Sequence, residues 1–127
     1  MESPFDALEG HRYVALTTYR RSGEGITTPV WFARVGDKLH IVTDIESGKA
    51  KRIRNNSEVA LAPSDFRGRS RGGSVDAVAR IMDESESEIA DRALREKYGW
   101  QYRTFGFVVR LLGKSASHAF LEISPAA

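Results

Sequence analysis

Short runs of β-forming residues parted by tight turns set the strongest limit on how this chain folds. Tyr13-Val14-Ala15-Leu16-Thr17-Thr18-Tyr19 is the first, Ile26 to Arg34 the second, and Leu39-His40-Ile41-Val42-Thr43 the third, each rich in β-branched and aromatic residues. Arg20 to Gly25 and Gly36-Asp37-Lys38 supply the reversals, since glycine and aspartate tolerate turn geometry. Strands joined by loops too short for a crossover helix must run antiparallel. Pro29 lies inside the second run and removes one ladder donor, which argues for an edge, a bulge or an opening in the sheet there.

Three further runs follow. Glu58 to Pro63 is a fourth strand and Ser74 to Met82 a fifth, with Val75, Ala77 and Ala79 on one side and Val78 on the other. Ala119 to Ile123 is a sixth, and Ser124 to Ala127 reads as a loose tail. Ser3-Pro4-Phe5-Asp6 starts a short helix that stops at Gly10, with an N-cap serine, proline at the first position and an acid at the third. Asp83 to Tyr98 is the clearest helix: acids crowd its start, bases its end, Ile89, Ala93 and Leu94 form an apolar stripe, and Gly99 ends it. Trp100 to Leu112 is compatible with a further helix, weakened by Gly106, and is apolar enough to cover a partner's surface, so a homodimer is expected. A chain of 127 residues builds one core. The expected fold is therefore mainly β (α+β), a six-stranded antiparallel barrel with short helices over its openings, in one domain spanning residues 1–127.

Composition narrows the chemistry. Without cysteine there is no disulfide, thiolate nucleophile or cysteine-ligated metal. His11, His40 and His118 are dispersed without metal spacing, and no metal site is expected; only His40, on the third strand, lies where it could touch a ligand. No Walker-type loop, dinucleotide fingerprint or Gly-x-Ser-x-Gly elbow occurs, and no catalytic residue is assigned. Nor is there an apolar run of membrane length or a basic-then-apolar leader, so the expectation is a cytoplasmic protein that does not enter the membrane. The net charge is only +2 with acids spread through the chain, and the local cationic clusters are Lys49 to Arg54 and Arg67, Arg69 and Arg71. These suit one or two phosphates or carboxylates better than a nucleic acid.

The first cluster carries the most information. Ser47 can cap a helix that ends at Asn55 or Asn56, and Lys49, Lys51, Arg52 and Arg54 crowd it. The helix macrodipole disfavours cations in the first turn. An anion on the exposed N–H groups would reverse that sign. Two readings stand open on the residues alone: a phosphate cradle, or a solvated basic helix. With so little acid–base equipment elsewhere, a cradle would belong to a protein whose cofactor carries the hard chemistry.

The order Tyr13-Val14-Ala15-Leu16-Thr17-Thr18, then Thr28-Pro29-Val30-Trp31-Phe32, then Val42-Thr43 followed by Ser47-Gly48-Lys49-Ala50-Lys51-Arg52-Ile53-Arg54-Asn55-Asn56 resembles the pyridoxamine 5'-phosphate oxidase-like split β-barrel flavoproteins. Within them it is similar to the flavin/deazaflavin oxidoreductase branch that uses coenzyme F420, which Val59 to Pro63 and Lys97-Tyr98-Gly99 also fit. The resemblance implies an FMN-binding-type split barrel, a homodimer with cofactor sites between subunits, and hydride transfer from reduced F420 to a small unsaturated or quinone-like electron acceptor. It implies that Lys49 and Lys51, assisted by Arg52, bind the cofactor phosphate. Thr28, Pro29, Val30 and Trp31 would line the ring, and Thr43, Ser47 and Pro63 would complete the pocket. Arg52, Arg54 or the Arg67–Arg71 loop would take the tail carboxylates. FMN is the alternative cofactor, and a non-catalytic flavin or F420 carrier the alternative function.

Overall fold

The computed structural model describes residues 3–44, 47–102 and 118–126. A 3-10 helix, Pro4–Leu8, opens the chain with the expected capping box: Phe5 N–H donates to Ser3 Oγ at 3.2 Å and Ser3 N–H to an Asp6 carboxylate oxygen at 3.0 Å. There follow β1 (Tyr13–Tyr19), β2 (Gly25–Val30), β3 (Phe32–Val35), β4 (Lys38–Asp44), α1 (Gly48–Asn55), β5 (Glu58–Ser64), β6 (Val75–Ile81), α2 (Glu84–Tyr98) and β7 (His118–Pro125). Residues 103–112, in the segment compatible with a further helix, lie outside the described residues; Trp100 to Tyr102 are helical.

All seven strands join one antiparallel sheet in the order β2-β1-β5-β6-β7-β4-β3. The two edges of that sheet, β2 and β3, are consecutive in the chain and separated only by Trp31. Val30 and Phe32 can stand no further apart than about 7 Å, the reach of two residues, so the sheet has to curl until its edges meet there. The result is a half-barrel split along a seam that begins at Trp31.

That seam corrects the count of six strands. The run Ile26 to Arg34 changes partner in the middle: β2 pairs with β1, with Pro29 opposite Ala15, whereas β3 pairs with β4, with Phe32 opposite Ile41. Pro29 falls on an edge strand, as its missing donor requires. At the break, Phe32 N–H donates to the Tyr98 hydroxyl at 3.0 Å, and that hydroxyl's own proton is directed to the Arg12 carbonyl at 2.6 Å, with the Phe32 carbonyl at 2.9 Å. Burial pushes the Tyr98 phenol up to about 12, so the proton is retained. A side chain from α2 thus supplies the pairing that the sheet cannot.

Two apolar clusters follow from strand alternation. Val14, Leu16, Leu39, Ile41, Val59, Leu61, Leu121 and Ile123 fill the inside of the curl, plugged by Phe5 and Leu8 of the 3-10 helix and by Ile53 of α1. On the outer face, Ala90, Leu94 and Tyr98 of α2 pack on Ala33 and Phe120, with Trp31, Val42, Ala93 and Tyr102 around them. Ile89, expected in the apolar stripe, is 58% exposed; the buried face of α2 is Ala90, Leu94 and Tyr98. The tail expected from Ser124 is also shorter, because β7 continues through Ser124, opposite Val78, to Pro125, opposite Ala77. No described helix is long and apolar enough to cross a membrane.

Candidate functional site

α1 follows β4 and lies against β1, β4 and β6 at one end of the curl. Ser47 is its N-cap: its hydroxyl accepts from Ala50 N–H at 3.2 Å and is 3.1 Å from the Thr43 hydroxyl, which ties the helix start to the last inward-facing residue of β4. The N–H groups of Gly48 and Lys49, in the first turn, have no partner within the helix.

Arg52 does not extend into solvent. Its Nε donates to the hydroxyl of Thr18 at 2.6 Å, and Thr18 is fully buried in the β1 row that also holds Val14 and Leu16. The guanidinium turns back to the helix start, where a Cβ on Gly48 would come within 2.7 Å of it. Glycine at position 48 therefore leaves room for the guanidinium beside the free N–H groups. Lys49 is three residues earlier, on the same helical face, and burial together with the Arg52 charge holds its ammonium below the ordinary lysine pKa. The two cations converge at a positive helix end. Lys51 is exposed and faces elsewhere, so the pair brought together is Lys49 with Arg52 rather than Lys49 with Lys51.

The other expected residues divide. Thr28 is opposite Leu16 and Val30 opposite Val14, both on the inner face, and Thr28 Oγ1 is buried without a hydrogen-bond partner. Pro29 is on the outer face of the sheet with its neighbour Ala15. Trp31, at the break between β2 and β3, joins the outer-face cluster and stacks on Tyr98, ring centroids 4.8 Å apart at 17°. Pro63 is opposite Val14. The arginine loop folds over this end: a Cβ on Gly68 would come 3.2 Å from Pro29 and one on Gly72 3.3 Å from Pro63. Asp65 organises the loop, its carboxylate accepting from Arg67 N–H and Arg69 N–H at 2.9 Å each.

Register measures the separation. Thr18, which holds Arg52, is opposite Val59, and Val14 is opposite Pro63, so the two groups are four residues, about 13 Å, apart along β1. Thr43, Ser47, Lys49 and Arg52 form one cluster; Pro29, Pro63 and the loop of Arg67, Arg69 and Arg71 form another. His40 joins neither. It is buried on the outer face between Ala33 and Glu122, its Nδ1 lacks a hydrogen-bond partner, and burial depresses its pKa. Among the described residues no group of three potential ligands could hold a metal ion.

Sequence reasoning missed Thr18 and Tyr98. A signal for Thr18 existed, since it continues the inward row of Val14 and Leu16 as a hydroxyl where an aliphatic is expected. Tyr98 gave none, because its role depends on where α2 lands.

A curled antiparallel sheet of seven strands, split at one residue, is the architecture of a split barrel. The chain belongs to the family described as Pyridoxamine 5'-phosphate oxidase, which it matches over residues 5–127. No match is found among curated proteins. Solved structures share the fold at low identity. The heme storage protein HutZ from Vibrio cholerae superposes with a TM-score of 0.71 at 13% identity, covering 96% of this chain and 87% of that one. A FAD-binding protein from Mesorhizobium loti gives 0.65 at 15%, covering 96% and 86%. A protein described as F420 reductase gives 0.62 at 18%, covering 100% and 96%.

Proposed function

We propose that the whole chain forms one cofactor-binding domain of an F420-dependent oxidoreductase, acting as a homodimer on a small unsaturated or quinone-like acceptor. The convergence of Lys49 and Arg52 on the start of α1 carries this reading. Two cations held together by the fold, at the positive end of a helix, are relieved by a phosphate. The residues fit the group: Gly48 leaves the space a Cβ would fill, and Thr18 fixes the guanidinium. Family membership and the likeness to an F420 reductase support the deazaflavin; the likeness to a FAD-binding protein keeps FMN as the comparison ligand.

Bound reduced F420 would supply a hydride. The protein's own residues bind and orient. Lys49, Arg52 and the first-turn N–H groups take the phosphate, while Thr43 and Ser47 hold the helix start in place. Pro29 leaves the edge of β2 short of a donor, so that the ring end meets a flat strand edge. The arginine loop lies at the ring end, on Pro29 and Pro63, so tail carboxylates beyond the phosphate fall to Arg54 rather than to that loop. Exposed Trp100, at 73%, and Ile89 favour a second copy of the chain.

Fluorescence titration of the purified protein with F420 and with FMN tests this, alongside light scattering for the dimer. Saturable F420 binding tighter than about 100 μM is expected. Failure of both cofactors to bind, or a monomer with full binding, removes the corresponding part. Stopped-flow oxidation of the bound reduced cofactor by quinones separates a reductase from a carrier.

A further inference from the structure

α2 lies on the outer face of β3, β4 and β7, and the side it turns to them is apolar: Ala90, Leu94 and Tyr98. A polar side chain is held beneath it. His40 shares the outer face of β4 with Val42, by strand alternation, and stands opposite Ala33 of β3 and Glu122 of β7. It is 4% exposed, and among the described residues its Nδ1 has no hydrogen-bond partner. An unpaired polar atom in such a place is costly, and an unpaired charge would be far costlier.

A proton on His40 would find the acids around it already committed. Glu122 of β7 accepts from Arg80 Nε of β6 at 3.0 Å and has the Lys38 ammonium of β4 at 3.9 Å. Glu86, in the first turn of α2, accepts from Arg80 Nη1 at 2.9 Å. β3 offers Ala33 at this level. Farther along α2, Asp91 is held by Arg95 and Tyr102, and Glu96 and Lys97 line a cleft on β3 with Arg34. Two cations and two acids therefore act on the imidazole, and desolvation decides between them. Burial depresses its pKa, with Arg80 and Lys38 in support and Glu122 and Glu86 opposed.

We propose that His40 is an acid-sensitive post beneath α2: a proton taken up there loosens α2 from the sheet and, through Tyr98, frees the seam at Trp31, while α1 stays seated in its end of the curl. The route is short. Ala33, the cross-strand neighbour of His40, packs in one cluster with Leu94 and Tyr98, and the residue before it, Phe32, gives its N–H to the Tyr98 hydroxyl. The sign follows from linkage. The packed-state pKa lies below the solvated value of about 6.5, so a state with α2 lifted and His40 in water binds the proton first. The packed state is fully favoured above pH ~6.5 and loses ground as the pH falls below it. The device asks nothing of the cofactor and stands whether or not F420 binds at α1.

Native-state amide exchange of the ligand-free protein, each rate divided by the intrinsic rate at the same pH, tests this from about pH 7.5 to about pH 5. Protection of Phe32, Ala90 and Leu94 should fall at least about tenfold more than that of Ile53 in α1 and Leu16 in β1. In His40→Leu, which has no proton to take up, that excess should vanish. The imidazole carbon signal of His40 should titrate with a midpoint below about 6.5. An equal loss at all these amides, an excess that survives in His40→Leu, a midpoint at or above that value, or no loss of protection at all would each overturn the assignment. Should His40→Leu not fold, His40→Gln, equally unable to take up a proton, must abolish the excess.

Discussion

The two long helices are built on opposite electrostatic plans. α2 satisfies its own ends: Asp83 and Glu86 form a reciprocal capping box, Arg95 and Lys97 occupy the last turn, and the spaced pairs Glu88–Arg92 and Asp91–Arg95 run along it. α1 has a serine cap, no acid in its first turn and a lysine there instead. What holds α1 is tertiary: Ile53 in the core, Arg52 on Thr18, Ser47 against Thr43. The first-turn lysine of α1 runs against the helix dipole, and a bound anion of the kind proposed above would offset it. The expected effects therefore differ in kind: charge removal should cost α1 binding and α2 stability.

The largest effect is on binding. Replacing Lys49 by Ala and Arg52 by Met together should weaken F420 or FMN roughly a hundredfold or more, since each charged hydrogen bond to phosphate is worth ~1.5–3 kcal/mol. The unfolding midpoint should fall by less than the binding loss, because the buried Thr18 hydroxyl loses Arg52 at a cost of about 1–3 kcal/mol that removal of a repulsion at the helix start partly offsets. Lys51→Ala, on the exposed side, should change affinity little. Calorimetric titration of the three proteins checks this; an unchanged dissociation constant in the double variant, or a loss carried by Lys51, breaks the distinction between the helices.

Next comes the seam, where α2 serves the sheet. Tyr98→Phe keeps the ring on Trp31 but leaves the Phe32 N–H without its acceptor. A buried donor left unpaired costs about 1–3 kcal/mol, read as a shift in urea midpoint with slope unchanged. No shift would mean that water replaces the hydroxyl.

Much of this was legible beforehand. The boundaries of β1 and α1, the capping box at Ser3, and the edge position of Pro29 follow from local rules that act within a few residues. The seventh strand did not follow, because Ile26 to Arg34 alternates like one strand and divides only when β1 claims its first half and β4 its second. Ile89 was misplaced for a related reason: apolar spacing marks a stripe, and packing chooses which stripe is buried. At the site, the serine cap and Lys49 were readable from the helix pattern. The pairing of Arg52 with Thr18 links residues 34 apart, and the separation of Pro63 from Arg52 is a matter of register that no local pattern encodes.

A third comparison uses the caps. Asp83→Ala should destabilise the protein by about 1 kcal/mol, within the 0.5–2 range of cap deletions, because the Glu86 backbone N–H and the Ser85 hydroxyl lose their acceptor. Ser47→Ala should cost a similar amount without ligand, and should additionally weaken the cofactor by loosening the helix start. Thermal unfolding with and without F420 separates them: the ligand-induced rise in melting temperature should be intact in Asp83→Ala and reduced in Ser47→Ala.

The smallest effect is a matter of pH. Arg80 bonds Glu86 from Nη1 at 2.9 Å, and this pairing, with the Asp83 backbone N–H, holds the Glu86 carboxyl down at about 2. A folded-state pKa below the unfolded value of about 4.3 means that the unfolded chain binds the proton first as the solution is acidified. The stabilisation is therefore fully present above pH 4.3 and drains away as pH falls toward 2. Glu86→Gln retains a side-chain acceptor for the capping box while abolishing the charge. The variant should be slightly less stable than the wild type at pH 6, and the gap should close between pH 4.3 and 2. Urea midpoints across that interval measure it. α1 has no acid in its first turn and so nothing equivalent to lose; a gap that persists unchanged at pH 2 would show that Glu86 acts through packing, and that the electrostatic contrast between the two helices is smaller than their sequences suggest.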